Sequence, residues 1–277
     1  MRKIGLVLLN LWALPWGLGY TALVAGIYVL GTLFTRSVAW MDFCQTWHGR
    51  LILPGLGVKV HMRGHTEKLG TVTAIVMANH RSLLDIPVMT GRIPMIRFVA
   101  KRELGRVPFL GWALIRSEHI LIDRSDRKGA VHALQEMAGV FGKGRNVMVF
   151  VEGTRAPGEK LLPLKKGGFH LAMDTGLPIL PISIEGNQVT FPKNAKMFHP
   201  GNVTITVHEP IDVSGMKRED IPRLMKQVRT TLLEGLPSAA RLEPKSEPKP
   251  EREPGPELKF EPKSEPESQP QPEESDS

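Results

Sequence analysis

Cysteine is almost absent from this chain of 277 residues, and acidic side chains are outnumbered by basic ones. Cys44 is the only cysteine, so the chain can form neither an internal disulfide nor a cysteine-rich metal site. The formal net charge is +8, from 36 Lys and Arg against 28 Asp and Glu. Residues 237–277 contribute about −5, from 11 acidic and 6 basic residues, which leaves residues 1–236 at about +13. A basic body of this kind favours an anionic partner such as membrane lipid, a phosphorylated substrate or nucleic acid.

Charged side chains are also missing from the stretch between Ile4 and Phe34. A helix that crosses a bilayer once needs about 20 apolar residues, so this run is long for one span and marginal for two. A break is favoured by a proline and two glycines that lie close together, at Pro15, Gly17 and Gly19. We therefore expect a membrane anchor over residues 1–36, formed either by a re-entrant helical pair or by a single span.

The flanks of this apolar run indicate how the protein is placed in the cell. Basic residues lie on both sides of it, which suits a hairpin whose two ends are on the cytoplasmic side. We expect the cytoplasmic face of the cell membrane, which is the inner membrane if the source is bacterial. A cleaved signal peptide is the alternative, since Ala22–Ala25 resembles a small-residue cleavage site, although the apolar core is longer than such peptides use.

Strand-like and helix-like patterns alternate after the anchor. Residues 37–57 mix aromatic and polar side chains at near-helical spacing, which predicts an amphipathic helix at the membrane interface. The alternation over residues 58–236 predicts an α/β domain in which helices cover a β-sheet. Its β-rich runs are 71–78, 95–100, 120–122, 146–151, 179–184 and 203–207, and its helical patterns are 83–89, 109–116, 128–141, 168–174 and 218–233.

Residues 237–277 lack the apolar side chains that a packed core requires. This region holds 10 of the 23 prolines and repeats EPKSEP at 243–248 and again at 261–266. Such a composition cannot bury enough surface to offset the entropy of ordering the chain. We therefore expect a disordered C-terminal tail.

The stretch NHRSLLD at residues 79–85 follows a strand pattern and places His80 five positions before Asp85. Within one continuous helix these two side chains would lie about 140° apart. Pro87 is tolerated only in the first turn of a helix, so a helix that starts at 82–85 leaves a bend between the two residues. We expect this bend to let the aspartate fold back to the histidine.

A histidine beside an aspartate is suited to act as a general base. A neutral imidazole, with a reference pKa near 6.5, accepts a proton from an alcohol while the carboxylate holds its other nitrogen. The chain has no serine in a G-x-S-x-G arrangement, which favours a base acting on a substrate hydroxyl over a covalent enzyme nucleophile. The alternative is structural, because Ser82 and Asp85 have the spacing of a capping box and His80 is then an ordinary loop residue.

A second polar cluster, EGTRAPG at residues 152–158, follows another strand pattern. Gly153 permits a close approach of the backbone to a ligand, and Arg155 offers a bidentate grip on phosphate. Arg124 ends a further strand pattern, HILIDR. Ligands in open α/β sheets bind at the carboxyl ends of strands, so we expect these residues to share one site with His80. Surface ion pairs are the alternative for the two arginines, with Asp123 and Glu152 as partners.

Four ordered blocks of this chain resemble those of the glycerolipid acyltransferases, the PlsC-like lysophosphatidic acid acyltransferases. NHRSLLD matches their NHx4D motif, EHILIDR resembles their second block, EGTRA their third, and LPILPISIEG at 177–186 their fourth. The resemblance covers about residues 58–210, and four blocks in order are a specific signal. Two blocks depart from the pattern, since Glu118 replaces the usual glycine and FVEGTRA stands where FPEGTRS is usual.

The resemblance implies the glycerolipid acyltransferase fold, with a mixed β-sheet covered by helices, and it implies a reaction. His80, oriented by Asp85, takes the proton of a lysophospholipid hydroxyl as that oxygen attacks the thioester of acyl-CoA or acyl carrier protein. Lysophosphatidic acid is the default acceptor and phosphatidic acid the product, and another lysolipid such as lyso-ornithine lipid is the alternative. No metal or cofactor is implied beyond the acyl donor. The implied substrate-binding residues are Lys101, Arg124, Glu152, Gly153, Thr154 and Arg155, with Pro181 on the acyl-donor side.

Two other classes of function stay open. A non-catalytic membrane adaptor would act through its tail, and a nucleic-acid binder would explain the basic charge. No aromatic stacking set and no recognised nucleic-acid module accompanies that charge, so we expect membrane lipids as the partner and no nucleic acid.

Overall fold

A computed structural model of the protein describes residues 3–35, 37–107, 110–122 and 144–241. The α-helices of this part are α1 Lys3–Phe34, α2 Val38–Gly55, α3 Asp85–Thr90, α4 Leu110–Arg116, α5 Gly167–Thr175, α6 Asn187–Thr190 and α7 Ile221–Glu234. The strands are β1 Val58–Gly64, β2 Ile75–Ala78, β3 Ile96–Lys101, β4 Ile120–Ile122, β5 Asn146–Phe150, β6 Ile179–Glu185 and β7 Gly201–Val207. Short 3-10 helices lie at Thr66–Lys68, Arg102–Arg106, Arg218–Asp220 and Ser238–Arg241.

The described strands pair into one seven-stranded sheet in the order β1-β7-β6-β2-β5-β3-β4. Strands β6, β2, β5, β3 and β4 run parallel to one another, β7 runs antiparallel to β6, and β1 is parallel to β7. Parallel strands are covered on both faces and therefore consist of continuous apolar runs, as in β2, where all four residues are buried. The prediction of a mixed sheet covered by helices is confirmed.

Alternate residues of the strands contribute to two hydrophobic cores, one on each face of the sheet. The first core takes Val76 and Ala78 of β2 and is covered by α2 and α3. The second takes Ile75 and Met77 and is covered by α5 and α7. Helix α7 shows the pattern that produces this covering, because its buried positions recur at helical spacing, at Ile221, Leu224, Val228 and Leu232.

Helix α1 is continuous from Lys3 to Phe34, so the predicted break at Pro15, Gly17 and Gly19 does not occur. The residues on either side of the proline are held against α2, which supports the helix across the missing backbone donor. Trp12 Nε1 donates to the Gly55 carbonyl at 3.0 Å, and Trp16 Nε1 donates to the Ile52 carbonyl at 3.2 Å. Later residues of α1 meet earlier residues of α2, so the two helices form an antiparallel pair.

The outer side of this helical pair is apolar and exposed. Among the described residues, α1 has the length and composition to cross a membrane over Ile4–Thr32, and only 11% of its most apolar window is buried. Exposed large apolar side chains of the pair include Leu8, Leu11, Trp12, Leu18, Leu23, Leu30, Phe43, Trp47 and Leu51. We call this surface the apolar face. Its extent is far beyond the scattered apolar residues of an ordinary surface.

Three elements differ from the sequence expectations. Strand β1 was not predicted, although VKVHMRG alternates apolar and polar residues as a half-exposed strand does, because it follows directly on the pattern of α2. The four residues of α6 are too few for a helical period to show. The packed chain also continues beyond Leu236 to Arg241, where Ala240 is fully buried. The predicted helix at 128–141 and the predicted disorder of 242–277 lie outside the described residues.

Candidate active site

Two neighbouring parallel strands bring the sequence motifs together. Ala78 of β2 is in register with Phe150 of β5, so the loops that follow these two residues lie side by side at one edge of the sheet. Backbone hydrogen bonds join the two loops, from Val151 N to the Ala78 carbonyl at 3.0 Å and from Ala156 N to the His80 carbonyl at 2.8 Å. The NHRSLLD and EGTRA motifs therefore form one structural unit.

The turn after β2 brings the two residues of the NHx4D motif into contact. His80 Nδ1 lies 2.7 Å from Asp85 Oδ2, and Asp85 is the first residue of α3. The same oxygen accepts hydrogen bonds from the backbone amides of Arg81 at 2.7 Å and Ser82 at 2.9 Å. The bend between the two residues therefore exists as predicted. The Ser82 hydroxyl accepts from Leu84 N, so local capping bonds and the histidine contact coexist in this turn.

The imidazole of His80 is oriented by contacts on two sides. Its ring stacks on Phe150, with centroids 3.9 Å apart and planes inclined by 13°. Because a carboxylate only accepts hydrogen bonds, Nδ1 carries the proton that faces Asp85, and Nε2 then holds a free lone pair. In the described part of the chain, Nε2 makes no hydrogen bond. The side chain is 15% exposed, so the imidazole is partly accessible to solvent.

Asn187 completes the set of partners of Asp85, and sequence reasoning missed it. Its Nδ2 donates to Asp85 Oδ1 at 2.6 Å, and its Oδ1 accepts from Thr190 Oγ1 at 3.2 Å. Asn187 is fully buried at the start of α6. The one available signal was its position directly after LPILPISIEG. Both oxygens of the Asp85 carboxylate are thus held by donors that fix its orientation.

The carboxylate of Glu152 faces the protein interior. Its two oxygens accept from the backbone amides of His80 at 2.7 Å and Leu162 at 2.9 Å, and the residue is 1% exposed. Burial raises the pKa of Glu152 to about 7, although the two amides and the charge of Arg81 oppose this effect. The expectation that Glu152 contacts the substrate does not fit this geometry, because both oxygens are used to connect the two loops.

Arg81 is a second residue that the sequence did not single out. It is 2% exposed, and its Nη1 donates to the Gly158 carbonyl at 3.2 Å, at the far end of the EGTRAPG loop. Burial lowers the pKa of Arg81, and the negative charges of Glu152 and Asp85 oppose that shift. The guanidinium group therefore connects the histidine turn to the loop after β5.

The predicted phosphate-binding residues lie at the same edge of the sheet. Gly153 adopts a φ of 69°, a conformation that favours glycine, and Thr154 beside it is exposed. Arg155 is half-buried and makes no ion pair with Glu152, so the alternative of a surface ion pair is not what the structure shows. Lys101 ends β3, is 57% exposed and contacts Glu103 Oε1 at 2.8 Å. Arg124 lies outside the described residues.

Pro181 is not brought together with these residues. It lies inside β6, in register with Met77 rather than with the strand ends, and it is buried. Its carbonyl accepts a hydrogen bond from His208 N at 3.0 Å. That Pro181 helps to shape the acyl-donor side stays a prediction. Among the described residues, no group of three His, Cys, Asp or Glu side chains is arranged to hold a metal ion.

His80 and Asp85 lie in contact at the edge of a mixed α/β sheet, beside the loop that carries Arg155, and comparisons with known proteins identify the family to which this arrangement belongs. Residues 58–185 match the family model described as Acyltransferase. The crystal structure of the 1-acyl-sn-glycerophosphate (LPA) acyltransferase PlsC from Thermotoga maritima superimposes with a TM-score of 0.73 at 31% identity, over 85% of this chain and 96% of that one.

Curated relatives point in the same direction. A 1-acyl-sn-glycerol-3-phosphate acyltransferase of Saccharomyces cerevisiae is 33% identical over 79% of this chain and 73% of that protein. An uncharacterized acyltransferase of Schizosaccharomyces pombe is 38% identical over 59% of this chain, and the chain spans 60% of the length of that relative. The chain belongs to the acyltransferase family, and the resemblance read from its four sequence blocks is confirmed.

Proposed function

We propose that this protein is an O-acyltransferase that transfers a fatty acyl group from an acyl thioester to the sn-2 hydroxyl of lysophosphatidic acid. The observation that carries the proposal is the contact of 2.7 Å between His80 Nδ1 and Asp85 Oδ2, which leaves Nε2 as a proton acceptor open to substrate. The names of the relatives that resemble the chain supply the acceptor. The product is phosphatidic acid, an intermediate of phospholipid biosynthesis.

The reaction proceeds in one displacement at His80. Nε2 takes the proton of the acceptor hydroxyl as that oxygen attacks the thioester carbonyl. The carbon–sulfur bond then breaks, and the thiolate of coenzyme A or acyl carrier protein takes up the proton from the imidazolium. Asp85 stabilises the imidazolium while it exists, because its carboxylate is fixed by Asn187 and by two backbone amides.

The residues around the base divide into two groups. Arg155 and Thr154 are placed to bind the phosphate of the acceptor, and Lys101 is a further cation at this edge of the sheet. Gly153, whose amide donates to the Phe150 carbonyl at 3.0 Å, shapes the turn that carries them. Arg124, which lies outside the described residues, is proposed as another cation for the phosphate. Glu152 and Arg81 are positioning residues, because their side chains are buried and join the loop that carries Arg155 to the turn that carries His80.

The apolar face gives this chemistry its place at the membrane. Burial of an acyl chain in lipid contributes about 0.8 kcal/mol per methylene, so the acceptor stays in the bilayer while the thioester arrives from water. Helix α1 is fastened along its length, through Asn10 to Phe198, through Trp16 to α2 and through Tyr28 to Ala113. These contacts along α1 favour a helical pair that enters the bilayer side-on over a helix that crosses it perpendicularly. The active site would then lie at the cytoplasmic surface of the membrane.

The experiment that tests the function compares His80→Ala with the wild type. Each full chain is given labelled acyl-CoA or acyl carrier protein thioester and a panel of lysolipid acceptors that includes lysophosphatidic acid and lyso-ornithine lipid. General-base catalysis contributes about 10² to 10⁴-fold, so the variant is expected to lose that much of kcat. His61→Ala is the matched control, because His61 is an exposed histidine on β1 that contacts Asn202.

The same variants distinguish an enzyme from an adaptor. Binding to phosphatidylcholine vesicles is expected to be equal in the wild type, His80→Ala and His61→Ala, since none of these changes touches the apolar face. Full acyl transfer by His80→Ala overturns the proposed base. A wild-type chain that transfers no acyl group to any lysolipid overturns the enzyme function itself.

A further inference from the structure

A basic groove lies between α2, the segment after α3 and the edge strand β1. It has a volume of about 340 Å³, and its apolar wall is formed by Leu53, Pro54, Gly57, Val58 and Val60. Its charged residues are Arg50, Lys59 and Arg92, and no acidic side chain of the described residues lines it. We call these three the groove cations. The groove thus combines positive charge with apolar walls, a combination that suits an anionic amphiphile.

Within the part of the chain that the structure describes, no acidic side chain neutralises the groove cations. Arg50 Nε donates to the Gly91 carbonyl at 3.0 Å, and Arg92 Nη1 reaches the same carbonyl at 3.4 Å, so two guanidinium groups share one acceptor. None of the three forms an ion pair with a described residue. Burial, followed by the positive charge of Arg50, lowers the pKa of Arg92. An anion that enters the groove would relieve this repulsion between like charges.

The groove is continuous with the apolar face. The guanidinium carbon of Arg50 lies 6.0 Å from the centroid of the Trp47 ring, and Trp47 is 42% exposed on that face. Leu51, the next residue along α2 from Arg50, is 45% exposed. Tryptophan and arginine in this arrangement are typical of the level of the lipid headgroups. The groove is therefore at the depth where phosphate groups would lie if the apolar face entered a bilayer.

We propose that this groove binds the phosphate-bearing headgroup of an anionic phospholipid of the bilayer, at a site separate from the acceptor site beside His80. The inference rests on the membrane association given under the proposed function. Asp85 begins α3 and Arg92 lies two positions beyond its last residue, Thr90, so the groove and the catalytic base lie at opposite ends of this helix. Occupation of the groove would fix the orientation of the catalytic edge toward the membrane.

The experiment measures how the full chain partitions onto vesicles of phosphatidylcholine alone and of phosphatidylcholine with added phosphatidylglycerol. The test variant combines Arg50→Gln, Lys59→Gln and Arg92→Gln. A well-placed cation contributes about fivefold to binding of anionic lipid, so the variant is expected to lose on the order of a hundredfold of the affinity for the mixed vesicles. Its affinity for phosphatidylcholine alone is expected to equal that of the wild type.

A charge-matched control distinguishes a specific lipid-binding site from non-specific attraction between the positively charged protein and anionic vesicles. Arg218→Gln, Arg223→Gln and Lys226→Gln remove three positive charges from exposed positions on and before α7, which covers the other face of the sheet. This control is expected to retain most of the preference for mixed vesicles. An equal loss in the two triple variants overturns the groove as a specific site, and so does a wild type that shows no preference for phosphatidylglycerol.

Two further measurements keep the result interpretable. Arg50→Lys with Arg92→Lys retains the positive charges while changing the hydrogen bonds to the Gly91 carbonyl. Because the proposal rests on these charges, this variant is expected to keep the preference for anionic lipid. Acyl transfer in neutral detergent micelles reports folding, and it is expected to be unchanged in every groove variant. Failure of the wild type to bind phosphatidylcholine vesicles contradicts the membrane association, whereas an undiminished preference for phosphatidylglycerol in the triple Gln variant of the groove contradicts the groove alone.

Discussion

At the scale of single residues, the least expected feature of the site is how completely the Asp85 carboxylate is satisfied. One oxygen receives His80 Nδ1 and two backbone amides, and the other receives Asn187 Nδ2 at 2.6 Å. Donors on both oxygens hold this buried carboxylate in one orientation. The orientation of the imidazole is thus set by a residue that lies 102 positions further along the chain.

We predict that Asn187→Ala lowers kcat by about 10 to 100-fold, because a hydrogen bond to a buried charge contributes about 1.5–3 kcal/mol. The KM of the acceptor is expected to change little, since Asn187 is fully buried and does not reach substrate. The acid limb of the kcat profile is expected to move, because Asp85 without this donor stabilises the imidazolium differently. Steady-state kinetics over a range of pH measures both effects.

Asn202→Ala provides the control for this change. Asn202 is an exposed residue of β7 that contacts His61. The substitution Asn202→Ala is expected to leave kcat and its pH profile within error of the wild type. Asn187→Ala contradicts the positioning role if it lowers the melting temperature while kcat and its pH profile stay unchanged in the folded protein.

Glu152 supports a prediction about stability and pH. Its pKa is about 7 in the folded protein against an ordinary value of 4.5. Between these two values the folded chain binds more protons than the unfolded chain, so this group's contribution to stability is fully present below pH 4.5 and is lost as pH rises toward 7. The linked change in the free energy of unfolding is at most about 3 kcal/mol.

We predict that Glu152→Gln removes this dependence of the unfolding free energy on pH. It is also expected to lower kcat, because the side-chain amide of glutamine cannot accept from both His80 N and Leu162 N as the two carboxylate oxygens do. Urea unfolding in mild detergent at several pH values measures the first effect. Glu159→Gln, at an exposed position of the same loop, is expected to keep the wild-type dependence of the unfolding free energy on pH. If Glu152→Gln shows the same dependence as the wild type, Glu152 is not the group responsible for it.

The site residues that were predicted from the sequence differ in range from those that were not. His80 and Asp85 are close along the chain, so a bend inferred from Pro87 was sufficient to pair them. Asn187 and the inward role of Glu152 depend on contacts over 102 and 72 positions. Periodicity carries no information about such contacts, because they are set by the order of strands in the sheet.

At the scale of elements, the position of α3 depends on a close approach to α2. A side chain added at Gly49 would lie 2.5 Å from the backbone of Gly91 and from the Pro87 carbonyl. These are backbone atoms of and beside α3, so they cannot move aside without shifting the helix that begins with Asp85. The small residue at this crossing is therefore required by the packing.

We predict that Gly49→Ala destabilises the protein by about 1–3 kcal/mol and lowers kcat, because α3 and Asp85 are displaced together. Gly26→Ala in α1 is the matched control, since a side chain there meets nothing within 4 Å. That substitution is expected to be neutral or stabilising by up to about 1 kcal/mol, as alanine is the better helix former. Chemical unfolding in detergent measures both variants, and equal stability of the two contradicts the close approach.

Elements with one dominant pattern were predicted well, and elements that depend on context were not. Strand β4 has the predicted bounds, Ile120–Ile122, because its apolar residues are bounded by polar ones. The break in α1 was not observed, since contacts of Trp12 and Trp16 with α2 override the local effect of Pro15. Local propensity decides the outcome only where no partner element supplies a larger stabilisation.

At the scale of the whole molecule, the protein has an apolar face formed by α1 and α2 and a strongly basic body. The positive charge is not evenly compensated along the chain. Residues 242–277 hold 5 basic and 11 acidic residues and carry a net charge of −6. Since the net charge of the whole chain is +8, residues 1–241 carry +14. Attraction to an anionic membrane therefore depends on how much of this positive charge the C-terminal residues offset.

We predict that a chain ending at Arg241 binds vesicles that contain phosphatidylglycerol severalfold more tightly than the full chain at low salt, because a net charge of −6 has been removed. The difference is expected to disappear at high salt and on phosphatidylcholine alone. Glu243→Gln, Glu247→Gln, Glu261→Gln and Glu265→Gln in the full chain keep its length and are expected to reproduce part of the effect. Acyl transfer in neutral micelles is expected to be the same in all three proteins, since every predicted site residue precedes residue 242. Loss of acyl transfer in the truncated chain would instead assign the C-terminal residues a direct part in the reaction.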